Sequence, residues 1–153
     1  MAFCFRRMRE EDLDAVYKIE TDTFSNPWLR EFFEIELQHD SFVVEKDGDI
    51  AGYICAMQVL DECTVTNVAI RSDLRRQGMA EYMMRSLERM MDERNIRYYY
   101  LEVRASNSAA KALYHKLGYK EVGIRKDYYH HPTEDAIVMS LNKSGAKKTD
   151  ERF

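Results

Sequence analysis

Thr64-Val65-Thr66-Asn67-Val68-Ala69-Ile70, followed after four residues by Arg75-Arg76-Gln77-Gly78-Met79-Ala80, is the stretch on which the reading of this chain turns. Its first part is a run of strand type. Its second part opens a helical pattern, in which Ala80, Met83, Met84, Leu87, Met90 and Met91 recur at intervals of three and four. A methionine stripe at that spacing reads as core packing. Between strand and helix, a glycine-containing turn aims backbone N–H groups outward at a helix start, where unsatisfied donors and the positive end of the dipole favour an anion. Arg75 and Arg76 add full positive charge, which points to a pyrophosphate cradle. An ordinary helix start with a surface arginine pair is the plainer reading. The turn lacks the lysine and following Ser/Thr of a P-loop and the glycine spacing of a dinucleotide fingerprint, so nucleoside triphosphates and NAD are poorly supported.

Toward the C-terminus, Ile96 to Val103 is a tyrosine-rich strand reached through the methionine helix, which makes a β-α-β unit with parallel strands. Ser106 or Asn107 caps a further helix that carries Ala109, Ala110, Leu113 and Leu117 inward and ends at Gly118. Tyr119 to Ile124 and Ala136 to Leu141 form a last strand pair, joined by a long Arg125 to Asp135 connection. Lys143 to Phe153 is polar and charged, and is expected to be disordered.

Toward the N-terminus, Ser41 to Glu45, Ile50 to Leu60 and Thr64 to Ile70 are strands separated by turns at Lys46-Asp47-Gly48-Asp49 and Asp61-Glu62, an antiparallel meander. Phe3 to Met8 is a first strand. A helix follows over Glu10 to Thr21, with Leu13, Val16, Glu20 and Phe24 on one stripe. Glu20 on that stripe must be bonded, face a cavity as a wall of a substrate site, or reach solvent at the helix end. Ser25-Asn26-Pro27-Trp28 reads as the start of a short second helix ending near His39, with Trp28, Phe32, Ile35 and Phe33 on its buried side.

At 153 residues the chain is expected to be one domain spanning residues 1–142, with 143–153 as a tail. Its net charge of −4 argues against general nucleic-acid binding and would suit a positively charged partner. No apolar run reaches the length of a membrane span and the N-terminus has no signal-peptide layout, so the expected location is the cytoplasm. Cys4, Cys55 and Cys63 form no CxxC pair, which disfavours a disulfide framework and a zinc site; no metal is expected.

Three residues carry candidate chemistry beyond the turn. Glu102 lies near the carboxyl end of the second parallel strand, where open α/β sheets bind ligands, and points with Tyr98 and Tyr100 rather than with Leu101 and Val103. Its plainer explanation is pairing with Arg104 or escape to solvent. Asn107 and Tyr114, seven residues apart, share one helix face about 10 Å apart along the axis, which suits an extended ligand. A solvated face with the tyrosine ring packed flat is the alternative.

Arg75-x-x-Gly78-x-Ala80 resembles the Arg/Gln-x-x-Gly-x-Gly/Ala motif of the GNAT superfamily of N-acetyltransferases. The run Leu101-Glu102-Val103-Arg104-Ala105-Ser106-Asn107-Ser108-Ala109-Ala110, with Ala112-Leu113-Tyr114 and Leu117-Gly118-Tyr119, is similar to the RimI-type protein N-terminal acetyltransferases of that superfamily. Likeness extends to Ile19-Glu20, Phe24, Pro27-Trp28, Val68-Ala69-Ile70, Tyr128-Tyr129 and Asp135-Ala136, and covers Phe5 to Leu141. Ala80 stands where a second glycine is frequent, an accepted variation.

The resemblance implies an α/β (α+β) GNAT fold, a mixed, mostly antiparallel twisted sheet of about seven strands with a central parallel pair and about four helices. It further implies acetyl-CoA as cosubstrate, with the backbone of Val68, Ala69 and Ile70 at the acetyl and pantetheine end and Arg75, Arg76, Gln77, Gly78, Met79, Ala80 and Glu81 at the pyrophosphate. Asn107 would contact the pantetheine arm, Glu102 would be the general base and Tyr114 the general acid at the departing thiolate. Glu20, Pro27, Trp28, Tyr128 and Tyr129 would wall the peptide site.

The chemistry agrees with these residue types. A protein α-amino group has a pKa near 8 against about 10.4 for lysine, a gap of roughly 2.5 units or about 3.4 kcal/mol, so one carboxylate acting through water suffices as base for a terminal amine. A tyrosine is protonated at neutral pH and can donate to a leaving thiolate. Backbone N–H groups near Val68 to Ile70 would serve the thioester oxyanion. Direct attack is expected, since none of the cysteines falls among the motifs. The expected substrates are protein or peptide N-termini, ribosomal proteins among them. The rivals are a GNAT enzyme for a small amine or a lysine side chain, and a non-catalytic acyl-CoA-binding module.

Overall fold

The apolar patterns sort into seven strands and four helices over residues 3–144, the part of the chain that the computed structural model describes. In chain order they are β1 (Phe3–Arg7), α1 (Leu13–Thr23), α2 (Arg30–Glu36), β2 (Asp40–Lys46), β3 (Asp49–Val59), β4 (Glu62–Ile70), α3 (Met79–Glu93), β5 (Tyr98–Arg104), α4 (Ser108–Lys116), β6 (Lys120–Tyr129) and β7 (Glu134–Asn142). The sheet order is β1-β2-β3-β4-β5-β7-β6. Pairs β1·β2, β2·β3, β5·β7 and β6·β7 are antiparallel, whereas β4·β5 is parallel, registered from Glu62↔Tyr98 to Thr64↔Tyr100. The parallel pair follows from the helical crossover through α3, which returns the chain to the same end of the sheet. The expected mixed, mostly antiparallel α/β architecture is borne out.

The described residues group into two compact units: those up to Met57 with Val65–Arg89, and Gln58–Thr64 with those from Met90 on. In the first unit, Met8, Leu13, Val16, Ile19, Phe33, Val43, Tyr53, Cys55 and Ala69 form one buried cluster. Strands β2 and β3 are covered on both faces, so their interior reads as a continuous apolar run rather than an alternation. In the second unit β5 alternates strictly, with Tyr99, Leu101 and Val103 buried and Tyr98, Tyr100, Glu102 and Arg104 half-buried. That alternation bears out the strand phase expected for Glu102.

Four expectations need correction. Helix α2 begins at Arg30 and turns only Phe33 inward; Phe32 and Ile35 are 47% and 55% exposed. Helix α4 buries Tyr114, whereas Ala109 is exposed and Ala110, Leu113 and Leu117 are half-buried. Strands β6 and β7 extend to Tyr129 and from Glu134, so the long connection reduces to residues 130–133; bulges between Glu121/Gly123 and Arg125/Tyr129 break the alternation that would have revealed the extension. Lys143 and Ser144 are tied down: the Lys143 N–H donates to the Arg97 carbonyl at 2.7 Å, its Nζ pairs with Asp92 at 3.2 Å, and Ser144 is buried with its N–H on Asn142 Oδ1. The rest of the expected tail, residues 145–153, lies outside the described residues.

Candidate active site

The turn before α3 has the backbone of an anion cradle. Arg76 (φ 66°) and Gly78 (φ 80°) both have left-handed φ, whereas the intervening Gln77 does not, and such alternation turns successive N–H groups toward one side. Gly78 is open: a Cβ placed there meets nothing within 4 Å, so glycine is needed for its φ rather than for space. Its carbonyl accepts the Tyr82 N–H at 3.0 Å, the first bond of α3, which leaves the N–H groups of the first turn pointing out of the helix end. Flanking side chains fix the turn. Arg75 Nε donates to the Ile70 carbonyl at 3.1 Å, and Lys46 Nζ donates to Gln77 Oε1 at 2.7 Å. Arg76 is exposed, Met79 is buried as the turn's anchor, and Glu81 pairs with Arg85 at 2.9 Å. This donor set fits a diphosphate. Val68 is half-buried, and Ala69 and Ile70 are 6% and 7% exposed at the end of β4.

Glu20 is neither at solvent nor on an open wall. It is 2% exposed and accepts hydrogen bonds from the Tyr53 hydroxyl, from Asn67 Nδ2 at 2.8 Å and from the Trp28 backbone N–H at 2.9 Å. Burial, and after it the Glu20 charge, pushes the Tyr53 hydroxyl far up, so it stays the donor. Pro27 is exposed, and the half-buried Trp28 ring packs on Phe33 at 5.2 Å.

In the second unit, Glu102 accepts from Arg125 Nε on β6, across β7. Arg104, the partner anticipated from sequence, is engaged elsewhere: it pairs with Glu134 at 3.2 Å, donates to the His130 and Pro132 carbonyls, and lies 4.4 Å over the Tyr129 ring. Those bonds fasten the β6–β7 turn and hold Tyr129 in place. The Tyr128 and Tyr129 rings meet edge to face at 5.1 Å. Partial burial, then a hydrogen bond to Glu102, raises the Tyr128 hydroxyl. Burial, then the Glu102 charge, pushes Tyr129 up to about 12.

Tyr114 is set by the end of its helix. Gly118 (φ 100°) reverses the chain, with its own N–H on the His115 carbonyl at 3.0 Å and the Tyr119 N–H on the Tyr114 carbonyl at 2.9 Å. This C-terminal cap brings the Tyr119 ring to 5.8 Å from the Tyr114 ring. Burial, then the neighbouring Tyr129, pushes the Tyr114 hydroxyl up to about 12, and so it is a proton donor throughout the physiological range. Asn107 is exposed and caps α4 through Oδ1, which accepts from the Ala110 N–H at 3.1 Å. Glu102, Tyr114, Tyr128 and Tyr129 are thus brought into one electrostatic neighbourhood, with Arg125 and Glu134 as members that sequence reasoning missed.

The acetyltransferase (GNAT) family profile matches residues 13–119. The chain belongs to the GNAT acetyltransferase family. The ribosomal protein bS18-alanine N-acetyltransferase of Escherichia coli K12 is 38% identical over 136 residues, 85% of this chain and 90% of that protein. A Bacillus subtilis protein provisionally named for the same activity is 42% identical over 138 residues, 88% of this chain and 91% of its own. The crystal structure of the ribosomal-protein-S18-alanine N-acetyltransferase from Escherichia coli superposes with a TM-score of 0.88 at 35% identity, covering 95% of this chain and 96% of that one. The resemblance of this GNAT chain to the RimI type, drawn from its LEVR-x-SN and ALY motifs, is therefore borne out. Among the described residues no group of three or more His, Cys, Asp or Glu is placed to hold a metal ion, and no helix is long and apolar enough to cross a membrane. Cys55 and Cys63 are buried, and burial pushes the Cys55 thiol up, away from the thiolate a nucleophile needs.

Proposed function

We propose that this protein acetylates the α-amine at the N-terminus of a protein, with ribosomal protein bS18 as the substrate indicated by its relatives. The observation that carries this reading is the Glu102 group, a half-exposed carboxylate beside tyrosines held protonated, in a chain 38% identical to an enzyme named for that reaction. Acetyl-CoA, when bound, supplies the acetyl group as a thioester, as it does throughout the family.

The roles divide as follows. Backbone N–H groups of the turn Arg75 to Ala80 and of Glu81, with the Arg76 guanidinium, hold the diphosphate. The backbone of Val68, Ala69 and Ile70 holds the acyl end and Asn107 the pantetheine arm. Glu102 takes one proton of the incoming ammonium through water, leaving a neutral amine to attack the thioester carbonyl. As the C–N bond forms and the C–S bond breaks, Tyr114 Oη gives its proton to the departing sulfur and regains one, through water, from the nitrogen that has become the amide. Pro27, Trp28, Tyr128 and Tyr129 face the peptide. The acidic balance of the chain, −4, suits a basic protein substrate, and the cytoplasm, where ribosomal proteins are made, is the matching location.

A panel of peptides differing in the first residue, incubated with acetyl-CoA and read by mass spectrometry, tests the reading. Acetylation of free termini, strongest for alanine, is expected. Transfer confined to lysine side chains or small amines would replace it, and acetyl-CoA binding without transfer would reduce the protein to a binding module.

A further inference from the structure

Glu20 is a buried acid with no place in the proton transfers above. Its Oε1 accepts from the Tyr53 hydroxyl on β3 and from Asn67 Nδ2 on β4 at 2.8 Å, whereas Oε2 accepts from the backbone N–H of Trp28, at 2.9 Å, in the segment between α1 and α2. Three donors converge on one group, which must therefore be an acceptor at both oxygens; glutamine or a hydroxyl would bring a donor among donors unless neighbours rearranged. All three are neutral, so no cation repays the desolvation of the charge. Replacing the acid and its side-chain donors together by packed apolar side chains would serve stability about as well, so stability alone does not account for an acid here.

What the acid accomplishes is a connection. It fixes the backbone of Trp28 to the two strands that carry Tyr53 and Asn67, and Asn67 directly precedes Val68. We propose that Glu20 is a positioning residue that sets the Pro27-Trp28 segment for the incoming peptide, acting through the Trp28 N–H rather than by touching substrate. The inference rests on the reading of Pro27 and Trp28 as peptide-facing.

Trp28 is the only tryptophan of the chain, so its fluorescence reports on this segment without any assay of activity. The decisive variants are Glu20→Leu and the double variant Glu20→Leu/Tyr53→Phe, which also removes the hydroxyl that leucine would strand. The double variant regains thermal stability over the single one, because both partners of that bond are gone. It does not regain the Trp28 acceptor. In both, Trp28 emission moves to the red and acrylamide quenches it more readily. Peptide KM rises about tenfold, the scale of a modest misplacement of a substrate wall, while acetyl-CoA affinity by calorimetry stays within about twofold. Glu20→Gln, after rotation of Asn67 and Tyr53, keeps an acceptor for Trp28 and restores peptide KM.

An unchanged Trp28 signal with unchanged peptide KM overturns the proposal, as does an equal loss of peptide and acetyl-CoA affinity, the mark of general loosening. Should the leucine variants not fold, hydrogen exchange on the unaltered protein decides: the Trp28 amide is expected to exchange at least about 100-fold more slowly than an open amide, and exchange at the open rate overturns the contact. If the unaltered protein acetylates no peptide, the functional reading fails while the Trp28 measurements still rule on Glu20.

Discussion

Glu20 and Glu102 are both carboxylates on regular elements next to aromatic residues, and they differ in everything that decides what a carboxylate can do. Glu20 is 2% exposed and has neutral donors on both oxygens, whereas the Glu102 side chain is 28% exposed and faces an arginine that is itself 58% exposed. A proton acceptor must be reachable by water or substrate and must have a lone pair that its neighbours can release. Glu102 meets both conditions, since an exposed ion pair is worth little and exchanges readily with solvent. Glu20 meets neither. Burial thus separates an acid that can only hold from an acid that is open to water and substrate.

The comparison can be broken most sharply at Glu102. Glu102→Gln should lower kcat/KM for an alanine-terminated peptide by about 100-fold with acetyl-CoA affinity retained, the usual scale of a general base; a loss below about threefold would place the base elsewhere. Tyr114→Phe should follow, with kcat down by about 30-fold and the loss shrinking for acyl donors whose thiol leaves more easily. Indifference to the leaving group would remove Tyr114 as the acid. On the cosubstrate side, Arg76→Ala should weaken acetyl-CoA binding about tenfold and flatten its dependence on ionic strength, as measured by calorimetry at two salt concentrations.

The smallest effect concerns a third carboxylate, Asp12, which is buried like Glu20 but paired like Glu102. Arg6 Nη1 lies 2.8 Å from it and the Arg9 N–H donates to it at 2.8 Å. Burial opposes its ionisation, but the Arg6 and Arg9 bonds outweigh burial and hold its pKa below the usual carboxylate range. A pKa depressed in the folded state stabilises above the unfolded value, near 3.9, and the contribution is lost as pH falls through the folded value. Thermal melts should therefore show an acid-side decline that Asp12→Asn lacks, amounting to about 1 kcal/mol or ~3 °C. Identical acid-side profiles would show that the pair adds nothing.

How far the sequence spoke depended on the range of the interactions involved. Strand β5, helix α3 and the turn at Gly78 were legible because their signals are local: a period of two, a period of 3.6, and a glycine where φ must be positive. Helix α2 misled because its seven residues carry apolar side chains on more than one face, and only packing selects Phe33 over Phe32 and Ile35. The partners of the two acids were out of reach. Tyr53 and Asn67 lie 33 and 47 residues from Glu20, and Arg125 meets Glu102 only through the register of β5, β7 and β6. The nearest arginine in sequence, Arg104, was the obvious partner for Glu102 and instead holds the turn beneath Tyr129.

One measurement reaches the centre of this account. A peptide with an N-terminal alanine and an internal lysine is mixed with acetyl-CoA and excess enzyme in a single turnover, and the acetyl group is located and timed by mass spectrometry for the unaltered protein and for Glu102→Gln. Acetyl is expected on the α-amine alone, appearing about 100-fold more slowly with the variant. Acetyl on the lysine side chain, or equal rates for the two proteins, would contradict it.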